Sequence, residues 1–143
     1  MYPKEHIVLG ALFSAIVSML FPNINLFYLA LIFLSSFLID FDHYMIYVIK
    51  TKNFSLNKAF DYHITEGKMA LKEKAKGIRK KGHFHVFHTL EFLILVYILS
   101  FLWYPFIFIL IGMIFHSLLD IIYLITHDFL YRREFFLTRW LMK

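Results

Sequence analysis

The sequence predicts an all-α fold, a polytopic membrane four-helix bundle with a basic amphipathic cytoplasmic loop between its second and third helices. Hydrophobic residues make up 60% of the 143 residues, whereas an ordinary soluble domain is about 45–50% apolar. The apolar residues are gathered into four runs, and every Lys and Arg lies outside them. We therefore expect residues 1–143 to form a single membrane-embedded helical domain.

Each apolar run is a candidate membrane helix. The runs cover residues 7–21, 26–39 (with an apolar continuation at 44–49), 84–104 and 105–126. The last two reach the roughly 20 residues that a bilayer crossing needs, and the first two are shorter. The first run has no small-residue cleavage site and is followed at once by the second, which favours a membrane helix over a signal peptide.

The basic residues predict the orientation of these helices. The turns after the first and third runs, "FPNIN" and "WYP", contain no Lys or Arg. All 15 basic residues lie on the other side: Lys4, ten between Lys50 and Lys81, Arg132, Arg133, Arg139 and Lys143. Because cytoplasmic loops are enriched in Lys and Arg, we expect an integral protein of the cytoplasmic membrane with both termini in the cytoplasm.

Residues 50–82 form a long polar segment on the same side. Apolar residues recur in it at helical spacing: Leu56, Phe60 and Ile64, then Leu71, Ala75 and Ile78. A basic amphipathic segment of this kind binds the anionic headgroups of membrane lipid; the alternative is a solvated basic loop that only sets topology. The net charge of +5 reports orientation in a membrane protein, so nucleic acid is not expected as the primary partner.

Histidines and carboxylates collect at the cytoplasmic end of all four runs. They are His6; Asp40, Asp42 and His43; His83, His85, His88 and Glu91; and His116, Asp120 and His127. The last three are spaced i, i+4 and i+11, so they share one face of a helix. An unpaired charge inside an apolar helix is costly, and a bound cation offsets that cost for several ligands at once.

These residue types favour a divalent metal ion. Imidazole and carboxylate ligands suit Zn²⁺, Mn²⁺ or Fe²⁺, and the chain has no cysteine. We expect zinc first, with two or more ions, although a lone His116–Asp120 pair is also typical of a structural hydrogen bond. The alternative function is a non-catalytic multi-histidine membrane protein that binds haem or relays metal ions. The aspartates disfavour haem, and the apolar non-cytoplasmic half disfavours transport.

The same residues carry a family resemblance. An early His, "DFDH", "HFHVFHT" and "GMIFHSLLD" follow one another over residues 6–120. This order resembles the YdjM-like family of predicted membrane-bound metal-dependent hydrolases, whose pattern is an N-terminal His, Pro-Asp-x-Asp-His, His-Arg-Gly-x-Thr-His-Ser and Gly-x-x-x-His-x-x-x-Asp. By position, the resemblance implies ligand or catalytic roles for His6, Asp40, Asp42, His43, His83, His88, His116 and Asp120.

The resemblance also implies a reaction. The family is distantly similar to zinc-dependent phospholipase C and P1 nuclease, which implies hydrolysis of phosphoesters, either phospholipid or another membrane-associated phosphodiester. The chain departs from the family pattern at Ile39, where the family has Pro, and at Phe84 and His85, where it has Arg-Gly. The missing Arg removes a candidate phosphate clamp.

The expected chemistry uses metal-activated water, with Asp40, Asp42 and Asp120 bridging or terminating the metals. Asp40 and Glu91 are the candidate catalytic carboxylates. Glu91 is open between a general base, a ligand and a partner for a ligating His, and the last is favoured. His85 is interpreted as an interfacial histidine rather than an extra ligand. Oligomeric state is left open.

Overall fold

The computed structural model describes residues 3–142 and is helical, with no strand over that range. The predicted all-α class is therefore confirmed. Met1, Tyr2 and Lys143, the last of which was counted among the basic residues above, lie outside the described residues. The helices are α1 (Pro3–Leu20), α2 (Leu26–Leu38), α3 (Phe41–Thr51), α4 (Leu56–Ala75), α5 (Leu90–Leu102), α6 (Phe106–Thr126) and α7 (Leu137–Leu141), with 3-10 turns at Val86–His88 and Leu130–Arg132.

The first two apolar runs fold as α1, α2 and α3. Asn25 begins α2 by accepting a hydrogen bond from the backbone N–H of Phe27 at 2.8 Å, which satisfies one of the donors left free at a helix start. A short turn at Ile39 and Asp40 interrupts the helix, which then continues as α3. The predicted apolar continuation at 44–49 is thus helical, and the "DFDH" carboxylates lie at the interruption.

The third run forms a shorter helix than predicted. Thr89 accepts a hydrogen bond from the backbone N–H of Phe92 at 3.3 Å, so α5 begins only at Leu90 and has 13 residues. A helix of that length is about 20 Å long, against a hydrocarbon core of about 30 Å. The prediction of one helix over 84–104 is wrong at its start, because the Thr89 cap leaves residues 84–88 outside the helix.

Two helical segments are long and apolar enough to cross a membrane. They are Leu26–Thr51, which combines α2 and α3 in 26 residues, and Phe106–Thr126, which is α6 with 21 residues. The helix α5 is apolar but shorter than a span. A bundle in which all four predicted helices cross the membrane therefore stays a prediction.

The predicted basic loop contains a helix of its own. α4 has 20 residues, begins with Ser55 as its cap and packs against α3. It buries only its small residues Ala59 and Ala70, and Leu56 and Phe60 stay largely exposed. The amphipathic spacing predicted a helix here, and its apolar face is left without full cover.

Close helix packing brings the polar ends of α1, α2 and α6 together. α2 packs against both α1 and α6, and α5 packs against α6. A Cβ atom on Gly112 of α6 would overlap Ser35 Oγ and the carbonyl oxygen of Ile32 in α2, and one on Gly10 of α1 would overlap Ser36 Oγ. Glycine at these two positions therefore allows backbones to approach more closely than side chains would permit.

The interior beside this contact buries both apolar and polar side chains. A small apolar core of Ile39, Val96, Leu110 and Met113 lies between α2, α5 and α6. The buried polar residues are His6, Ser36, Asp42, His88, Thr89, His116, Asp120 and Glu134. Burial of a polar group costs free energy unless the group is hydrogen-bonded or paired. The contacts of these residues therefore indicate the role of this interior.

Candidate metal centre

Histidines and aspartates from distant parts of the chain meet beside the turn between α2 and α3. Four groups of three have ligand atoms that all lie within 4.8 Å of one another. These groups are His6–Asp40–His116, Asp40–His43–His88, Asp42–His85–His88 and His88–His116–Asp120. We call the eight residues His6, Asp40, Asp42, His43, His85, His88, His116 and Asp120 the His/Asp cluster. It contains every predicted metal ligand except His83.

His88 and His116 lie at the centre of the His/Asp cluster. Their Nε2 atoms are 3.1 Å apart, and each lies 3.5 Å from Asp40 Oδ1. Asp120 Oδ2 is 3.9 Å from His88 Nε2 and 3.8 Å from His116 Nε2. Two imidazole nitrogens and two carboxylate oxygens thus face one small volume, as the ligands of a shared ion do.

The other nitrogen of each central ring is anchored away from that volume. His116 Nδ1 lies 2.8 Å from the carbonyl oxygen of Ser36, which can only accept a hydrogen bond, so Nδ1 carries the proton. His88 Nδ1 lies 3.0 Å from Asp42 Oδ2. Metal-binding histidines commonly donate their second N–H to a carbonyl or carboxylate in this way, which leaves Nε2 as the ligand atom.

His6 is buried inside the His/Asp cluster. Its side chain is 1% exposed and stacks on the His116 ring with 3.8 Å between centroids. His6 Nε2 lies 3.2 Å from Asp120 Oδ1 but outside hydrogen-bond geometry, and among residues 3–142 neither ring nitrogen has a hydrogen-bond partner. Because an unsatisfied buried nitrogen is costly, the arrangement fits a cation that His6 would ligate.

Asp42 joins the loop before α5 to this centre. It lies 3.3 Å from His85 Nδ1 through Oδ1, and its Oδ2 accepts a hydrogen bond from the backbone N–H of Phe87 at 3.3 Å. Burial lowers the pKa of the His85 imidazole, and the contact with Asp42 offsets this only in part. Burial also acts to lower the pKa of His88, but hydrogen bonds to Asp40 and Asp42 outweigh it and raise that pKa. His85 belongs to the cluster by its distance to Asp42 and its largely buried side chain, whereas its interpretation as an interfacial histidine stays a prediction.

His43 and His63 extend the His/Asp cluster toward α4. His43 Nε2 lies 3.4 Å from Asp40 Oδ1, and its ring centroid is 3.9 Å from that of His85. His63 Nε2 donates a hydrogen bond to the His43 carbonyl oxygen at 2.9 Å, which ties α4 to α3. The sequence did not predict this contact of His63, because the contact depends on how α4 packs against α3.

His83 is not brought into the cluster. Its Nδ1 lies 3.1 Å from Lys50 Nζ, and its Nε2 lies 3.2 Å from Glu66 Oε2 and 3.4 Å from Tyr62 Oη. Partial burial and then the Lys50 charge lower the pKa of this imidazole. The family resemblance implied ligand roles for both His83 and His88, but residues 83–85 are not helical and Val86–His88 form a 3-10 turn, so the two side chains contact different neighbours.

Glu91 and His127 also lie apart from the cluster. The Glu91 carboxylate accepts hydrogen bonds from the backbone N–H groups of Leu137 and Thr138 at 3.0 and 3.1 Å, at the start of α7. The structure thus gives Glu91 a helix-capping contact in place of the predicted contact with a ligating histidine. His127 is exposed at the end of α6, with its Nδ1 2.9 Å from the Tyr123 carbonyl oxygen.

Sequence reasoning missed Arg133, which it assigned to topology alone. Arg133 Nη2 donates a hydrogen bond to Asp120 Oδ2, 13 positions away in the chain. The side chains of Arg133 and Asp120 are 10% and 7% exposed. Because a turn at 127–128 and the 3-10 turn Leu130–Arg132 separate Arg133 from α6, no helical periodicity links the two residues.

A cavity of about 480 Å³ opens beside the cluster. Its lining includes Asp40, His43, His85, Asp120 and Arg133, and α4 contributes both apolar residues (Leu56, Phe60, Ile64 and Leu71) and polar ones (His63, Glu66 and Lys68). Volumes of 300–1,000 Å³ are usual for sites that bind small molecules. Mixed imidazole and carboxylate donors beside such a cavity suit a first-row divalent ion with room for a substrate.

Comparison with known proteins adds no relative to this picture. No family model, curated protein or solved structure matches it.

Proposed function

We propose that the protein is a membrane-bound metal-dependent hydrolase of phosphoesters. The observation that carries this proposal is the central pair of imidazoles, His88 and His116. Each ring is anchored through Nδ1, and each Nε2 faces Asp40 and Asp120. This is the tautomer and orientation that a metal ligand requires.

The donor groups suit two ions. The His/Asp cluster offers eight side chains, more than the four ligands of one tetrahedral zinc ion, so it has donors for a second ion beside the one that His88 and His116 would share. Mixed nitrogen and oxygen donors favour zinc, with manganese or iron as alternatives. When bound, such ions acidify water and stabilise the negative charge that develops on phosphoryl oxygens.

The chain's own groups are placed to serve the reaction. Asp40 belongs to the cluster and also lines the cavity, so it is positioned to accept the proton that an attacking water loses. His43 contacts Asp40 and is about one-third exposed, which gives that proton a route to the cavity. Burial of His88 and His116 keeps bulk water from the other side of the cluster.

We also propose that the protein is integral to the cytoplasmic membrane, with both termini and α4 in the cytoplasm. Large apolar side chains are exposed on α1, α2 and α5, as at Met19 (78%), Leu26 (78%) and Leu102 (81%). Exposed apolar surface on this scale favours contact with lipid. The basic, amphipathic α4 would then lie on anionic headgroups, with lipid as the partner.

The proposal is tested by hydrolysis of a soluble phosphodiester and of phospholipid in mixed micelles by the purified protein. Asp40→Asn keeps the shape of the side chain and removes its charge, so activity should fall by about 100-fold or more. Asp61→Asn, an exposed change on α4, is the control and should leave activity unchanged. A metal-loaded wild type that hydrolyses no phosphoester in a broad panel would remove the catalytic proposal.

A further inference from the structure

Arg133 occupies a wall shared by two cavities. It lines the cavity of about 480 Å³ beside α4 and a smaller one of about 120 Å³ between α5 and α6. Its Nη2 donates a hydrogen bond to Asp120, while its Nη1 is buried and finds no hydrogen-bond partner within the described part of the chain. A guanidinium can only donate, so the unsatisfied Nη1 lacks an acceptor at the edge of the candidate site.

The contact with Asp120 uses only one of the two terminal nitrogens of the Arg133 guanidinium. One carboxylate oxygen satisfies Nη2, and the fork of an Arg side chain is suited to a second, planar or tetrahedral, group of oxygens. Arg132 and Lys68 also line the larger cavity, and its carboxylates are Asp40, Glu66 and Asp120. Asp40 and Asp120 belong to the His/Asp cluster, where bound cations would neutralise them.

The larger cavity combines charged and apolar lining residues. Arg133 and members of the His/Asp cluster supply charged groups. From α4, Leu56, Phe60, Ile64 and Leu71 line it alongside the polar His63, Glu66 and Lys68, and Leu124 and Phe129 add further apolar surface. Apolar side chains that face a cavity, and do not pack into a core, offer surface that an apolar ligand would cover.

We infer that Arg133 binds the phosphate of an amphiphilic phosphoester and that the apolar chain of this ligand lies along α4. The hydrolytic step rests on the proposed function above, but the binding does not. The charged Arg133 selects an anion, the apolar residues of α4 select a chain, and the position of Arg133 against Asp120 places the phosphate next to the cluster. A lipid phosphoester fits this combination better than a soluble sugar phosphate, which has no apolar part.

The phosphate contact is tested by calorimetric titration of the metal-loaded, full-length protein in neutral detergent with butyl phosphate. Arg133→Gln should weaken binding by about tenfold or more, because it removes a charged hydrogen-bond donor. Arg133→Lys should recover part of the loss, since it restores the charge without the fork. Arg139→Gln removes a largely exposed guanidinium and is the matched control, with no change expected.

A purely structural Arg133 gives a different result. If Arg133 serves only as counter-ion to Asp120, Arg133→Gln changes the metal content alone, and the metal-loaded fraction binds butyl phosphate as wild type does. That outcome would overturn the inference. Metal content is therefore measured on the same samples, and affinity is expressed per metal-loaded molecule.

The chain contact is tested with ethyl, butyl and hexyl phosphate. Affinity of the wild type should rise by about fourfold for each methylene that reaches the α4 wall. Phe60→Ser should flatten this dependence, whereas Phe54→Ser, at a side chain that is 75% exposed and away from the cavity, should not. Equal affinity for all three phosphates would overturn the amphiphile assignment. Chain-dependent binding without any hydrolysis would sustain this inference and contradict the proposed function alone.

Discussion

His116 donates its Nδ1–H to the carbonyl oxygen of Ser36 across 2.8 Å, although 80 positions separate the two residues in the chain. The bond joins α6 to the last turn of α2, one turn before Asp40. It fixes the tautomer of His116 and aims Nε2 at His88 and Asp40. The geometry of the candidate metal centre therefore depends on how closely α2 and α6 pack.

Gly112→Ala should disturb the centre without changing any ligand. The new Cβ would overlap Ser35 Oγ and the Ile32 carbonyl oxygen, so α6 must move away from α2. Overpacking of this kind costs about 1–3 kcal/mol, and both the melting temperature in detergent and the metal content should fall. Gly67→Ala on α4 meets open space and is the control, with a neutral or slightly stabilising effect expected. Equal behaviour of the two variants would contradict the dependence on close packing.

Removal of metal should destabilise the whole fold. Ligands drawn from α1, α3, α6 and the loop before α5 would be held together by the ions, and without them Asp40, Asp42 and Asp120 remain crowded among imidazoles. Chelation should lower the melting temperature, and added Zn²⁺ or Mn²⁺ should restore it, since binding to the folded state alone adds stability. An unchanged melting curve after verified removal would argue against a shared site.

The sequence predicted much of this arrangement, but not all of it. Hydropathy and helical spacing placed His6, His116 and Asp120 on helices whose polar ends meet, because apolar faces determine how helices pack. The same reasoning could not place His85 or Arg133, which lie on segments without helical periodicity. The backbone direction there depends on tertiary contacts, such as the hydrogen bond from the Phe87 N–H to Asp42.

The stability of the metal-free protein should depend on pH through the raised pKa of His88. Burial lowers this pKa, but hydrogen bonds to Asp40 and Asp42 outweigh burial and raise it. Protonated His88 therefore stabilises the fold fully below its unfolded-state pKa of about 6.5, and this stability is lost as the pH rises through the folded-state pKa. The difference in melting temperature between wild type and His88→Gln should be larger at about pH 5.5 than at about pH 8.5.

The contribution of His88 can be distinguished from the titration of His85 and from metal binding. Burial lowers the pKa of His85, which opposes the trend in wild type and variant alike and so largely cancels in the difference. Metal ions bind neutral imidazole, so the stability gained on adding zinc should instead grow as the pH rises. A difference that grows with pH in the metal-free protein would show that the His88 contacts are not those described.

Membrane orientation is expected to follow the basic residues. Reporter fusions at Lys58, on α4, should report a cytoplasmic location, and fusions at Asn25, in the turn before α2, should report the opposite side. Within the described residues, α1 is not one of the two segments that are long and apolar enough to span a membrane. The fusion at Asn25 therefore also tests whether α1 crosses it. A non-cytoplasmic signal at Lys58 would reverse the proposed topology.

The central claim is that the His/Asp cluster holds divalent metal, and elemental analysis of the detergent-purified protein tests it most directly. We predict one or two zinc, manganese or iron ions per wild-type chain, and a loss of about 10–100-fold in metal affinity for Asp120→Asn. Glu91→Gln, at the start of α5 and away from the cluster, should retain the full metal content. Wild-type protein that is folded but binds no added divalent metal would contradict the account, and a Soret absorption band in the same preparation would indicate haem in its place.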